Sequence, residues 1–197
     1  MIEVGGDVVS RPYLKMTVAV MDAFGVAAIE QYGPEGAKFI VPAPQRYSAA
    51  AYAIEPDASN ATYFLAAAAV AGGRVRVPGL GGASPQGDAR FVDVLERMGC
   101  DIRREADALT AIGPADGRLH GLDVNLADMP DTAQTLAVVA LFADGPTTIR
   151  GVANLRVKET DRLAALNAEL TRLGAKVEER DDGLTVHLLG LEDLGGH

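Results

Sequence analysis

The residues best suited to chemistry in this chain lie in one run, Asn154-Leu155-Arg156-Val157-Lys158-Glu159-Thr160-Asp161-Arg162, with Asp131 upstream. Lys158 and Arg162 supply positive charge for an anion, and Glu159 between them supplies a carboxyl group for proton transfer. Acidic residues suit a helix start, whereas lysine and arginine there oppose the dipole. The structural alternative is a solvated first turn with a Glu159–Arg162 contact at i,i+3, worth about a few tenths of a kcal/mol. Asp131 follows Pro130 and opens a helix, so it reads either as an N-cap or as a base. Asp57 stands in the same Pro-Asp context 74 residues earlier. That duplication favours a cap at both positions, and the sequence alone does not choose Asp131 over Asp57 as a base.

The 197-residue chain is long enough for one domain or two small ones, and its 48% hydrophobic content fits a packed core. A net charge of −9 and aromatics at 5% with no Trp argue against nucleic acid as a partner, since phosphate backbones select basic surfaces and single strands select stacking platforms. An anionic ligand would need its few cations gathered locally, against the sign of the whole. One cysteine, Cys100, excludes an internal disulfide and reads as a small buried hydrophobe. His120, His187 and His197 lack the spacing of a metal site. The longest apolar runs, near Ala66–Ala71 and Leu136–Ala143, are too short to cross a bilayer, and no signal peptide is evident. The expected setting is the cytoplasm, with no membrane partner and no metal.

The elements that position these residues repeat. Leu14, Val18 and Met21 form a helical stripe before Gly25, followed by strands at Val26–Gln31 and Lys38–Val41. Phe91, Val94, Leu95 and Met98 repeat the stripe before Gly99, with strands at Cys100–Arg104 and Ala108–Ile112. Leu163, Leu166, Leu170 and Leu173 repeat it again before Gly174, with strands at Ala175–Glu179 and Leu184–Leu188. The three helix-ending glycines are 74 and then 75 residues apart. Alternating with these are two Ala-rich helices, Pro56-Asp57 to Ala71 and Pro130-Asp131 to Ala143, each leading to a strand, at Arg74–Val77 and Thr147–Arg150. Both are apolar on nearly every side and are expected inside the fold. The unit is strand, buried helix, strand, amphipathic helix, strand, strand, with two complete copies at about 50–113 and 122–190 after half of another. Gln45–Ala53 reads as a domain crossing or as an ordinary strand, and Gly79–Gly87 as a flexible connection rather than a phosphate loop.

The repeat also aligns candidates. Glu159 and Arg162 lie 15 and 12 residues before Gly174; the same counts reach Ser10 and Tyr13 before Gly25, and Ser84 and Gly87 before Gly99. Two hydroxyls and a charged pair on matching turns could line one cleft. The plainer reading of Ser10 is a helix cap, and of Tyr13 a half-buried ring.

Arg156-Val157-Lys158-Glu159-Thr160-Asp161-Arg162 with Pro130-Asp131 closely resembles the 5-enolpyruvylshikimate-3-phosphate (EPSP) synthase family. Val9-Ser10-Arg11-Pro12-Tyr13 and Pro56-Asp57-Ala58-Ser59 through Tyr63-Phe64-Leu65-Ala66-Ala67-Ala68 extend the resemblance in the right order. It implies an α/β (α+β) fold, the inside-out α/β barrel of repeated βαβαββ units, incomplete in this chain. Residues 1–53 would be the last part of the first domain plus the crossing strand, and residues 54–197 two units of the second. It also implies transfer of the enolpyruvyl group of phosphoenolpyruvate to the 5-hydroxyl of shikimate 3-phosphate, without metal or cofactor. In that family's terms Asp131 is the base at the 5-hydroxyl and Glu159 the proton-transfer residue at the phosphoenolpyruvate methylene. Ser10, Tyr13, Asn154 and Lys158 match contacts to shikimate 3-phosphate, and Arg162 a contact to phosphoenolpyruvate.

The family's early Gly-Asp-Lys-Ser type segment, its Gly-Asn-x-Gly-Thr segment with a following arginine, and its late Asp-His-Arg segment have no counterpart here, and Lys15 replaces a usual acidic residue. The expectation is a central fragment with little or no turnover alone, whose partners are the missing segments or a second copy. A related transferase acting on UDP-N-acetylglucosamine is the alternative enzyme, although Lys158–Arg162 and the position of Cys100 do not suit it. A non-catalytic binding or complementing module is the alternative outside enzymes.

Overall fold

The computed structural model describes residues 1–6 and 8–188; His197 lies outside the described residues. In chain order, β1 (Ile2–Gly5) and α1 (Arg11–Ala23) precede the hairpin β2 (Ile29–Gly33) and β3 (Gly36–Ile40). Then come α2 (Ala58–Ala71), β4 (Arg74–Pro78), α3 (Phe91–Arg97) and the hairpin β5 (Asp101–Arg104) and β6 (Ala108–Ile112). The last group is β7 (Asp123–Asn125), α4 (Ala133–Val139), β8 (Thr147–Arg150), α5 (Arg162–Arg172), β9 (Val177–Arg180) and β10 (Gly183–Val186).

The repeat visible in the sequence is a repeat of topology. The three sheets run β1-β3-β2, β4-β6-β5 and β7-β8-β10-β9. In each, the second hairpin strand lies between its hairpin partner and the strand before the amphipathic helix, antiparallel to both. A strand pairs locally through its turn, and the preceding strand completes the ladder on the other edge. The sheets remain separate, so the fold is mixed α/β with no closed barrel among the described residues.

One expected strand is missing. In the second complete unit β7 pairs in parallel with β8, but residues 41–57 form neither helix nor strand. Backbone groups make a strand only where a neighbour completes the ladder. This segment turns instead to the end of α1: the Gln45 side-chain amide bonds both backbone groups of Ala27, the Ser48 N–H donates to Phe24, and the Tyr52 and Phe24 rings stand 5.7 Å apart. The Gly79–Gly87 stretch is a packed connection rather than a loose one. Leu80 is fully buried, Ser84 donates to Glu55, and the Gln86 amide ties Pro56 to Ala58.

The core forms where α2 and α4 meet. Leu65, Ala68 and Ala69 are buried in one cluster with Leu136, Ala137 and Ala140, and small side chains allow a close approach of the two helices. Thr62 and Thr135 share a buried hydroxyl–hydroxyl bond of 2.9 Å there. Burial is one-sided, contrary to the sequence expectation: Tyr63 and Phe64 on α2 are 59% and 63% exposed, and Val138 and Phe142 are also exposed. The α3 stripe is buried throughout, whereas in α5 Leu163 and Leu170 are buried and Leu173, just past its end, is exposed. No residue of α1 is fully buried.

Candidate active site

Asp131 sits in a 3₁₀ turn, Pro130–Thr132, that precedes α4. Its carboxylate caps no helix. Its Oδ2 accepts from the Tyr13 hydroxyl at 3.1 Å, and its Oδ1 accepts from Arg162 Nη1 at 3.0 Å with Lys158 Nζ at 3.8 Å. Asp57, the residue in the matching context, is a true N-cap that accepts from the N–H groups of Ser59 and Asn60. The cap reading therefore holds for one aspartate and is corrected for the other. The physical reason is local. The α4 entrance begins with a 3₁₀ turn, closed by Thr132 N–H and Oγ1 bonds to the Met129 carbonyl, which leaves the Asp131 side chain free to turn outward.

The charged run does not open the helix in the expected way. A 3₁₀ turn at Ala153–Val157 is followed by an irregular stretch, and α5 starts at Arg162 with Asp161 as its N-cap. Asp161 takes the N–H groups of Leu163 and Ala164, so an anion site built on those two amides is ruled out. Lys158 lies outside the helix, which removes the dipole objection to a lysine there. Arg162 makes a two-point contact with Glu159, Nε to Oε1 and Nη2 to Oε2, both at 2.8 Å, while also reaching Asp131. In the amide orientation that satisfies both its ends, Gln134 donates to the Asp131 carbonyl and accepts from Arg162.

Arg156 fastens this loop from behind. Its guanidinium bonds Asp161 and Glu179 and the backbone carbonyls of Asp181 and Arg180. Sequence reasoning gave it no separate part, although a lone arginine two residues ahead of the lysine was a visible sign.

Tyr13 comes from α1, and its hydroxyl touches both Asp131 and Asp88, the latter at 3.3 Å. Tyr13 and Arg162, matched by the repeat count, thus close on opposite oxygens of one carboxylate. The third matching position, Gly87, lies where a Cβ would meet Pro12 Cβ at 2.8 Å and the Asp128 carbonyl oxygen. Only glycine admits the entrance of α1 so closely. Ser10 occupies the N-cap position of α1, yet it makes no side-chain cap bond and has φ 56°. A left-handed backbone at a non-glycine residue marks a functional or strained position, and its N–H is anchored on the Ala127 carbonyl. Asn154 shares no hydrogen bond with Asp131; it lines a cavity of about 840 Å³ with Val9, Arg11 and Asn125, and its side-chain oxygen has no partner.

The electrostatics fit these contacts. The Arg162 guanidinium holds the Glu159 carboxyl below its ordinary range, and Glu159 in turn raises Arg162. Burial raises the Tyr13 hydroxyl, which therefore stays protonated and able to donate. Burial also raises Asp88 and pushes the Cys100 thiol up to about 11. Among the described residues no three His, Cys, Asp or Glu side chains gather as a metal site, and no helix is long and apolar enough to cross a membrane.

Repeated helix-and-hairpin units that bring a tyrosine and an arginine onto one aspartate define an enolpyruvyl transferase fold. The structure is similar to EPSP synthase from Acinetobacter baumannii, with a TM-score of 0.69 and 25% identity over 86% of this chain and 39% of that one. The enolpyruvyl transferase NikO from Streptomyces tendae shares the fold, with a TM-score of 0.64 and 24% identity over 89% of this chain and 40% of that one. The sequence model for EPSP synthase (3-phosphoshikimate 1-carboxyvinyltransferase) matches residues 1–191, and the chain belongs to that family. It is 46% identical over 188 residues to the 3-phosphoshikimate 1-carboxyvinyltransferase of Paraburkholderia phytofirmans, covering 94% of this chain and 43% of the relative. To the chloroplastic enzyme of Brassica napus it is 48% identical over 187 residues, covering 92% and 36%. The chain thus spans less than half the length of these relatives.

Proposed function

We propose that this chain carries the acid–base half of an EPSP synthase active site, acting on phosphoenolpyruvate and shikimate 3-phosphate. The single observation behind this reading is the convergence of Tyr13, Lys158 and Arg162 on Asp131, with Glu159 held on the far side of Arg162. In the forward reaction Asp131 takes the proton of the 5-hydroxyl as that oxygen bonds C2 of phosphoenolpyruvate, while Glu159 delivers a proton to C3. Loss of phosphate from C2 and of a proton from the new methyl group then restores the double bond. Ser10, Tyr13, Asn154 and Lys158 hold shikimate 3-phosphate, and Arg162 holds phosphoenolpyruvate.

The resting geometry adds one requirement. While Arg162 grips it, Glu159 is an ionised carboxylate and has no proton to give. An incoming anion that draws Arg162 away releases Glu159 from this hold, and the anion's own charge beside the carboxylate favours its taking from solvent the proton that it then delivers to C3.

Residues 1–53 act in this reading as the end of the first domain and the crossing, and residues 54–197 as two units of the second. Because Lys158 and Arg162 are already matched by Asp131 and Glu159, two anionic substrates need further cations from complementing segments or a second copy. Turnover by the chain alone should be little or none. The reading keeps the protein in the compartment that holds its phosphorylated substrates, which do not cross membranes unaided, and we assign that compartment as the cytoplasm.

A coupled phosphate-release assay tests this, with the chain alone and mixed with segments that complete the family's sequence. Turnover on mixing is the expected result. Family-like turnover by the chain alone overturns the incompleteness, and no turnover on mixing with no thermal shift from shikimate 3-phosphate overturns the function.

A further inference from the structure

Asp88 takes no part in the reaction described above, yet it shares the Tyr13 hydroxyl with Asp131. It is 3% exposed, and it lies in the 3₁₀ turn Gly87–Arg90 that runs into α3. Its Oδ2 accepts from Ser59 Oγ and lies 3.3 Å from the Tyr13 hydroxyl; its Oδ1 is buried with no partner. The Tyr13 hydroxyl carries one hydrogen and stands within reach of two carboxyl groups. Both contacts are hydrogen bonds only if one carboxyl brings a second proton.

The surroundings decide which one. Asp131 has Arg162 at 3.0 Å and Lys158 at 3.8 Å. The groups facing Asp88 are Tyr13 from α1, Asp57 from the start of α2 and Asp131, none of them a cation. On its own turn Arg90 turns to Asp128, and on the following α3 Asp93 turns to Arg104. A carboxylate at Asp88 would leave a charged oxygen buried and unpaired, whereas a neutral acid leaves only a carbonyl oxygen there.

Resting on the assignment of Asp131 as the base, we propose that Asp88 is a proton-bearing positioning residue: its carboxylic acid donates to the Tyr13 hydroxyl, which donates to Asp131. The chain of bonds fixes which way the Tyr13 hydrogen points and keeps it on the base. Burial raises the Asp88 carboxyl in the same direction.

The test is carbon-13 NMR of the aspartate carboxyl groups in the full chain, titrated from acid to alkaline pH. Asp131 should ionise before Asp88. Tyr13→Phe should raise the Asp131 midpoint by removing its donor, and Asp88→Asn should leave that midpoint in place because the amide can still donate. Asp88 ionising first in the unmutated chain, which needs no variant to fold, overturns the proposal; so does a fall of the Asp131 midpoint in Asp88→Asn. Adding shikimate 3-phosphate separates the two claims. An Asp131 resonance that ignores it defeats the functional reading and leaves the order of ionisation standing as measured.

Discussion

Asp57 and Asp131 occupy matching places in two copies of one repeat, and they do different work. Asp57 closes the N-terminus of α2 with two backbone N–H bonds, while Asp131 faces Tyr13 and Arg162. The difference separates two measurements. Asp57→Ala should lose about 1 kcal/mol in urea denaturation, the usual worth of a cap. Asp131→Ala should cost less, since its partly exposed ion pairs contribute about 0–1 kcal/mol, but under the proposed function it should abolish the thermal shift expected from shikimate 3-phosphate. A reversed ranking would show that the caps are misassigned.

The Glu159–Arg162 contact gives a pH dependence. Glu159 is held below its ordinary range, so its contribution is present above the unfolded value and disappears as pH falls through the folded one. Phosphoenolpyruvate should move the Glu159 titration upward by drawing Arg162 away. A Glu159 carboxyl resonance that titrates identically with and without the ligand would leave proton delivery by this residue without support.

Gly87→Ala should displace α1. The added Cβ would press on Pro12 and on the Asp128 carbonyl, an overpacking that costs about 1–3 kcal/mol. Loss of the Tyr13 contact to Asp131, read from the aspartate carboxyl spectrum, should accompany the lowered stability. A spectrum unchanged at Asp131 would mean that the glycine is not what admits the helix.

The exposed apolar face of α2 should drive self-association. Tyr63 and Phe64 stand open to solvent side by side on the helix, and exposed large apolar side chains of this kind seek cover. Sedimentation should show oligomers that dissociate in a Tyr63→Glu, Phe64→Glu variant. A clean monomer at high concentration argues against it.

The periodic parts of this fold were legible from the chain alone. Stripes such as Phe91, Val94, Leu95 and Met98, closed by glycines of positive φ at Gly25, Gly99 and Gly174, place helices and hairpins because spacing and turn chemistry are local properties. The approach of Tyr13 and Arg162 to one carboxylate was half visible, through their equal distance from those glycines. What stayed hidden depends on neighbours remote in sequence. Whether Asp131 caps or turns outward is decided by a 3₁₀ turn, whether residues 41–57 pair is decided by an available edge, and the part of Asp88 arises only where three elements meet. The one-sided burial of α2 was equally out of reach, since an apolar helix reads the same whether or not something covers it.

The resting cluster has one more consequence. Lys158 and Arg162 cancel Asp131 and Glu159, so a multiply charged guest arrives at a locality with no net attraction to offer. Unless cations come from elsewhere, its entry must draw hydrogen ions from the medium. Calorimetric heats would then vary with the ionisation enthalpy of the buffer.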